Sequence, residues 1–342
     1  MQISVLVPTF RRTDDLRRCL DALAAQSRLA DEVIVTVRPA DDLQTVQMLE
    51  ERQAAGEPLP LRTVPLSVPG QVAALNAGVE AARGDVIAIT DDDAAPHPDW
   101  LARIEEHFAR DAHVGAVGGR DWPCHDPAQM RDARSLVGRV QWHGRTVGNH
   151  HLGVGHAREV EMLKGVNMSY RRAALGDTIR FDTRLRGNGS EINNDMAFSL
   201  AVRRAGWKVI YDPLVAVDHH PAARHDEDQR GAFNAFAATN IVHNETVTLL
   251  EYLPPARRMV YFGWALLVGV RAFPGVLHAL HAALVHRAPH AGAQWRATLK
   301  GRFAGLQTYR SHAATAARRG RASGLPAGPK KEETTSVHGV RN

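Results

Sequence analysis

Val86-Ile87-Ala88-Ile89-Thr90-Asp91-Asp92-Asp93 sets four consecutive apolar residues and one threonine before three carboxylates. An apolar run of this length, bounded by polar residues, reads as a strand buried on both faces. Similar runs occur at Ile3-Ser4-Val5-Leu6-Val7, stopped by Pro8, at residues 33–37, more weakly at 61–64, and at 114–117. Between them lie helical patterns at residues 13–23, 43–49, 71–82 and 100–108. Thr13 reads as an N-cap ahead of Leu16, Leu20 and Leu23, and Gly70 and Gly84 bracket the third helix. Strand–helix alternation at this spacing predicts parallel βαβ units, an α/β fold with helices on both faces of a mostly parallel sheet. Ligands in such sheets bind beyond the carboxyl ends of the strands, where the acidic triplet stands. Three clefted carboxylates repel one another unless a cation joins them. An Asp-x-Asp pair at a strand end suits Mg²⁺ or Mn²⁺, which keeps few protein ligands and takes the rest from phosphate and water. A solvated acidic turn is the plain alternative.

The second half of the chain is less regular. Residues 121–165 are rich in His, Gly and Arg and read as irregular structure over the site. A helix is expected over 196–205, ended by Gly206, then short strands at 209–211 and 214–217 around Pro213. The charged stretch 224–230 reads as a surface charge run, with a mobile loop over the donor as the other reading. Pro254-Pro255 marks a boundary. Beyond it, apolar stretches at 259–270 and 272–285 flank Arg271, and from about residue 313 the low-complexity composition predicts a disordered tail.

With 342 residues, 44% of them hydrophobic, the chain can bury one large domain with an appendage, or two domains. Two cysteines, Cys19 and Cys124, exclude a disulfide scaffold or a Cys-rich zinc module and fit a reducing, cytoplasmic setting. A strand beginning at Ile3 leaves no room for a cleaved secretory signal. The net charge of +5 is unevenly spread. Residues 252–331 hold thirteen Lys and Arg and no Asp or Glu, while the first 251 residues carry −7. Such a split points to nucleic acid or an anionic membrane surface. Long apolar runs suit lipid, and aromatics at 6% are too sparse for a base-stacking platform, so an anionic membrane is the expected partner and nucleic acid is not. The run at 259–270 is short of the roughly 20 residues that span a bilayer. Its continuation takes in Arg271, His278 and His281, so interfacial attachment is expected, with a soluble helical hairpin packed on the catalytic domain as the alternative.

Five segments together, in order and spacing, resemble family 2 glycosyltransferases of the GT-A fold. They are Val7-Pro8-Thr9-Phe10-Arg11-Arg12; Gly70 with Asn76 and Gly78; Thr90-Asp91-Asp92-Asp93 followed by Pro98-Asp99-Trp100-Leu101; Lys164-Gly165-Val166-Asn167-Met168-Ser169-Tyr170; and Phe181-Asp182 leading to Asn194-Asp195 and Arg203-Arg204-Ala205-Gly206-Trp207. The resemblance covers about residues 2–221. It implies a nucleotide-sugar-binding half over 1–120 and an acceptor and catalytic half over 121–251; the composition beyond them adds a helical, membrane-associated segment over 252–312 and a disordered tail over 313–342.

The resemblance also implies roles. Pro8, Thr9 and Arg12 would cradle the nucleotide. Arg38-Pro39-Ala40-Asp41-Asp42 stands where the family usually has an Asp for the base, and Asp41 would substitute. Gly70 and Asn76 would line the diphosphate pocket from a helix N-terminus. Asp91 and Asp92 belong to the donor site, and Asp93 and His219 would hold Mg²⁺ or Mn²⁺. Gly165 and Asn167 lie on the acceptor side. Asp195 would be the general base, in a family position usually occupied by Glu-Asp and here by Asn194-Asp195. The implied activity is metal-dependent, inverting transfer of one sugar from a nucleoside-diphosphate sugar to a hydroxyl acceptor. That acceptor is read as lipid-linked, in cell-surface polysaccharide or glycolipid assembly at the inner face of the cell membrane. No Gln-x-x-Arg-Trp stands near Gln229-Arg230, which favours single transfer over polymerisation. Two other readings share these features: a sugar-phosphate nucleotidyltransferase, and a non-catalytic sugar-nucleotide-binding membrane scaffold.

Overall fold

The computed structural model describes residues 1–56, 58–124, 132–222, 233–286, 288 and 290–322. Its first part runs β1 (Ile3–Pro8), α1 (Thr13–Ala24), β2 (Glu32–Val37), α2 (Leu43–Ala54), β3 (Leu61–Pro65), α3 (Gln71–Ala81), β4 (Val86–Thr90), β5 (Ala94–Pro96), α4 (Trp100–Arg110) and β6 (Val114–Pro123). There follow β7 (Arg139–Val140), β8 (Thr146–Val147), β9 (Arg158–Glu159), β10 (Asn167–Arg171), α5 (Arg172–Leu175), α6 (Asn194–Arg204) and β11 (Lys208–His219). Four helices close the described chain: α7 (Ala235–Tyr252), α8 (Pro255–Leu267), α9 (Val276–Leu284) and α10 (Ala291–Ala322).

Nine described strands form one mixed, mostly parallel sheet in the order β3-β2-β1-β4-β10-β6-β11-β5, with β9 also on β11. The expected βαβ units form its parallel half, and β10 enters antiparallel between β4 and β6. Alternate residues of β1 serve opposite faces. Ile3, Val5 and Val7 join a core with Leu16, Leu20, Trp100 and Phe108, whereas Leu6 packs with Leu75, Val79 and Phe198.

Several expectations need correction. Thr13 is the first helical residue rather than the cap, and its hydroxyl meets that of Thr45 at 2.9 Å. The two short strands around Pro213 are one strand, β11, with an irregularity between Asp212 and Ala216. Within 121–165, Lys164 and Gly165 reach the cleft described below, whereas Gly144 packs on Tyr261, and Arg257 donates to the carbonyls of Val140, Gln141 and Trp142. The tail is helical as far as Ala322, because Ala313, Ala314, Ala316 and Ala317 are strong helix formers. Residues 224–230, read as a surface charge run, lie outside the described residues.

Helix α7 was not expected at all. It buries Thr239, Asn240, His243, Asn244, Thr246 and Thr248, a polar and β-branched content that blurs helical periodicity. Gly301 and Gly305 let α10 lie close against it, since a Cβ at either position would meet the α7 backbone or Val242 and Thr246 within 3 Å. Arg302, only 2% exposed, crosses the same interface to Glu245 at 2.6 Å. Arg302 is therefore one of the thirteen tail cations that cannot reach an outside partner.

Candidate active site

The register of the sheet builds the site. Leu6 of β1 lies opposite Ile89 of β4, so three residues further along each chain Thr9 faces Asp92. The Thr9 hydroxyl donates to Asp92 Oδ2 at 2.8 Å, and Arg12, in the turn before α1, donates to Asp92 Oδ1 at 3.0 Å. Arg12 also stands 3.7 Å from Asp93. Burial pushes Asp92 up to about 7 against the pull of Arg12, and burial together with the charge of Asp93 raises Asp91 to about 6.

Strand β11 brings a histidine to the same place. His219 pairs with Ala94 across β5, which sets its ring beside Asp93. Its Nε2 lies 3.5 Å from Asp93 Oδ1 and its Nδ1 3.7 Å from Asp121 Oδ2, an oxygen that also takes the Lys164 ammonium. Burial disfavours all three charges, yet the mutual attraction wins. His219 rises to about 9, while Asp93 and Asp121 fall to about 2, Asp93 also accepting the Ala222 N–H at 3.0 Å. Asp93 Oδ1 and Asp121 Oδ1 remain buried without a hydrogen-bond donor. Among the described residues no three His, Cys, Asp or Glu side chains converge into a ready-made metal cage. The pair Asp93 and His219, with Asp121 behind the imidazole, nevertheless suits a cation that takes most of its ligands from a diphosphate.

Asp195 is the second residue of α6. Its Oδ2 accepts the N–H of Gly165 at 2.9 Å and its Oδ1 that of Met196 at 2.7 Å. Gly165 precedes β10, whose Asn167 pairs with Thr90, so antiparallel register puts Gly165 beside Asp92. Asp195 and the acidic triplet thus face one cleft of about 500 Å³, a volume typical of small-molecule sites.

The N-terminus of α3 differs from expectation. Gly70 has φ +117, and a Cβ there would stand 2.6 Å from Glu191 Oε1. The Glu191 carboxylate accepts the Val72 N–H at 3.0 Å, and Gly189 O takes that of Gln71 at 2.8 Å. The chain's own acid therefore occupies the anion-favouring end expected to meet diphosphate. Gly70 still lines the cleft.

A family model described as "Glycosyltransferase like family 2" matches residues 1–234. The chain belongs to this glycosyltransferase family. A curated relative, the glucosyl-dolichyl phosphate glucuronosyltransferase of Haloferax volcanii, is 28% identical over 149 residues, 42% of this chain and 45% of that protein. The match thus spans less than half the length of that relative. Among solved structures, TarS residues 1–349 from S. aureus in complex with UDP-GlcNAc aligns over 94% of this chain and 92% of that one, with TM-score 0.57 and 16% identity. The mannosyltransferase PcManGT from Pyrobaculum calidifontis, in complex with GDP-Man and Mn²⁺, aligns over 94% and 80%, with TM-score 0.54 and 20% identity. At these identities the structural likeness establishes the GT-A fold alone.

Within that family fold, the cleft brings together Pro8, Thr9, Arg12, Gly70, Asp91, Asp92, Asp93, Gly165, Asp195 and His219. Three other candidates turn elsewhere. Both amide atoms of Asn76 clamp the backbone of Phe181, at 2.8 and 3.0 Å. Asn167 is 1% exposed and ties the Trp100 indole to the carbonyls of Arg120 and Val215. Asp41 lies outside the cleft and grips Arg38, whose guanidinium lies 5.1 Å from the Phe10 ring; Arg38 and Phe10 line the cleft in its stead. The sequence reading missed Asp121, which lies within β6 opposite Val217 of β11, two residues before the His219 that it faces. It also missed Asn244 of α7. That side chain holds Arg186 N at 2.7 Å, Arg186 O at 2.8 Å and Ile192 O at 3.0 Å, fixing the loop that leads into Asp195.

Proposed function

We propose that the chain is a metal-dependent, inverting glycosyltransferase that moves one sugar from a nucleoside-diphosphate sugar to a hydroxyl acceptor. The observation that carries this reading is the placement of the Asp195 carboxylate, fixed by two backbone N–H groups, in the same cleft as the Asp93–His219 pair. Asp195 takes the proton of the acceptor hydroxyl as its oxygen attacks the anomeric carbon, and the bond to the diphosphate breaks on the opposite face. Lys164 and Asp121 hold the His219 ring from its Nδ1 side, and Arg12 adds positive charge where the diphosphate departs. Mg²⁺ or Mn²⁺ held by Asp93 and His219 would supply Lewis-acid stabilisation of the leaving diphosphate. Phe10 and Arg38 offer the nucleobase a ring and a cation in place of the usual carboxylate.

The name of the Haloferax relative supports a lipid-linked acceptor in glycolipid or cell-surface polysaccharide assembly. We place the enzyme on the cytoplasmic face of the membrane as a peripheral protein. The test is release of nucleoside diphosphate from a panel of UDP-, GDP- and dTDP-sugars with Mn²⁺ and with EDTA. Metal-dependent release from one donor class is expected, and no release from any donor would leave a sugar-nucleotide-binding scaffold as the better account.

A further inference from the structure

None of the nine residues of α9 is buried, although seven are Val, Leu or Ala. Leu277, Leu280 and Leu284 repeat at helical spacing on one face, with Leu284 75% exposed. Met259 and Leu267 of α8 and Phe303 of α10 are exposed as well. The three helices are joined. The Phe303 ring meets Phe262 of α8 at 6.1 Å, and the Gln294 side chain of α10 bonds the carbonyls of Arg271 and Ala272 between α8 and α9. Exposed apolar side chains gathered on three joined helices mark an interaction site.

Charge selects the partner. Arg296, Lys300 and Arg310 share the exposed face of α10 with Phe303, Arg271 stands in the α8–α9 turn, and no Asp or Glu occurs between residues 252 and 331. A second copy bringing the same face would oppose cation to cation. An anionic bilayer complements both the apolar and the cationic positions. Among the described residues no helix is long and apolar enough to cross a membrane. The thirteen residues of α8 and nine of α9 give about 20 and about 14 Å of helix, against a hydrocarbon core of about 30 Å.

We propose that the shared face of α8, α9 and α10 docks on an anionic lipid bilayer, with Leu277, Leu280 and Leu284 immersed at the interface and Arg271, Arg296, Lys300 and Arg310 at headgroup level. The inference rests on the peripheral placement proposed above and not on the transfer chemistry. It also links lipid to the site, because α10 packs on α7, and Asn244 of α7 holds the loop before Asp195.

The test is flotation of the full chain with phosphatidylglycerol–phosphatidylcholine vesicles and with pure phosphatidylcholine vesicles, at low and high salt. Binding to the anionic vesicles alone is expected. Arg296→Gln with Lys300→Gln should weaken it about 25-fold, at about fivefold per cation. Leu277→Ser, Leu280→Ser and Leu284→Ser together should abolish it, with only a small fall in melting temperature, since each side chain is more than half exposed. Equal binding to neutral vesicles, or wild-type flotation by the triple variant, overturns the proposal. So does a dimer that the triple variant dissolves, in a chain that binds no vesicles. Nucleotide-sugar binding measured on the same samples separates this failure from failure of the glycosyltransferase reading.

Discussion

Asp195→Asn tests the proposed base most directly, because the structure sets two very different magnitudes for one substitution. Asparagine keeps one carboxyl oxygen and replaces the other by an amide that cannot accept. Either Gly165 N–H or Met196 N–H then loses its partner. A lost partner costs about 1–3 kcal/mol when buried, and the lower end applies to this partly buried side chain. A melting shift of only a few degrees follows. The loss of a general base is a larger effect, about 10²- to 10⁴-fold in turnover. That corresponds to about 3–5 kcal/mol in the transition state. Donor affinity should change no more than a few-fold, since the proton moves only in the transition state. The assay is nucleoside-diphosphate release at saturating donor, with calorimetry for donor affinity and a melt for stability. Turnover within tenfold of wild type, by a variant that melts normally, would falsify the assignment. Turnover and donor affinity lost together would instead make Asp195 a determinant of the cleft's shape.

Three further outcomes follow from the geometry. Asp93→Ala should erase the gain in donor affinity that Mn²⁺ confers and His219→Ala should reduce it; calorimetry in which Asp93→Ala keeps the full Mn²⁺ effect removes the metal role. Asp92 has a folded value of about 7 against 3.8 when free, so between those values the unfolded chain releases a proton that the folded chain keeps, and its contribution to stability falls as pH rises. The melting temperature of Asp92→Asn relative to wild type should therefore climb from pH 4 to pH 7.5, and a constant difference across that range refutes the burial argument. Asn244→Ala removes three hydrogen bonds from the loop before Asp195 and should lower kcat more than it weakens donor binding; loss of donor affinity alone, with kcat intact, contradicts a positioning role.

The parallel half of the sheet was readable because its signals are local. Strands such as Val86–Thr90 are continuous apolar runs with a polar stop, and β1 and β4 carry their functional residues just past their ends. Strand β10 was also readable in principle, since Val166, Met168 and Tyr170 alternate with Asn167, Ser169 and Arg171. Asn167 and Ser169 are buried like their apolar neighbours, so the period-2 pattern does not mark a solvent face. Asn76 and Asn167 show the same difficulty from the other side. An amide that lines a ligand and an amide that clamps a backbone have identical letters, and only the position of Phe181 or Trp100 tells them apart.

What the sequence hid most completely is the dependence of the site on the C-terminal helices. A boundary at Pro254-Pro255 suggested a separable appendage, but α7 before it and α10 after it form one buried interface, joined through Arg302, Glu245 and Thr246. Removing everything after Pro254 would strip α10 from α7 and expose the helix whose Asn244 holds the loop before Asp195. Point substitutions on the outer face of α8–α10 leave that interface intact, so they can test lipid attachment where truncation would also disturb catalysis. The charge asymmetry likewise divides into two parts once the packing is known. Arg257 and Arg258 donate to backbone carbonyls and Arg302 pairs with the partly buried Glu245 within the fold. Arg271, Arg296, Lys300 and Arg310 have no such internal task among the described contacts, and they are the cations that salt should screen.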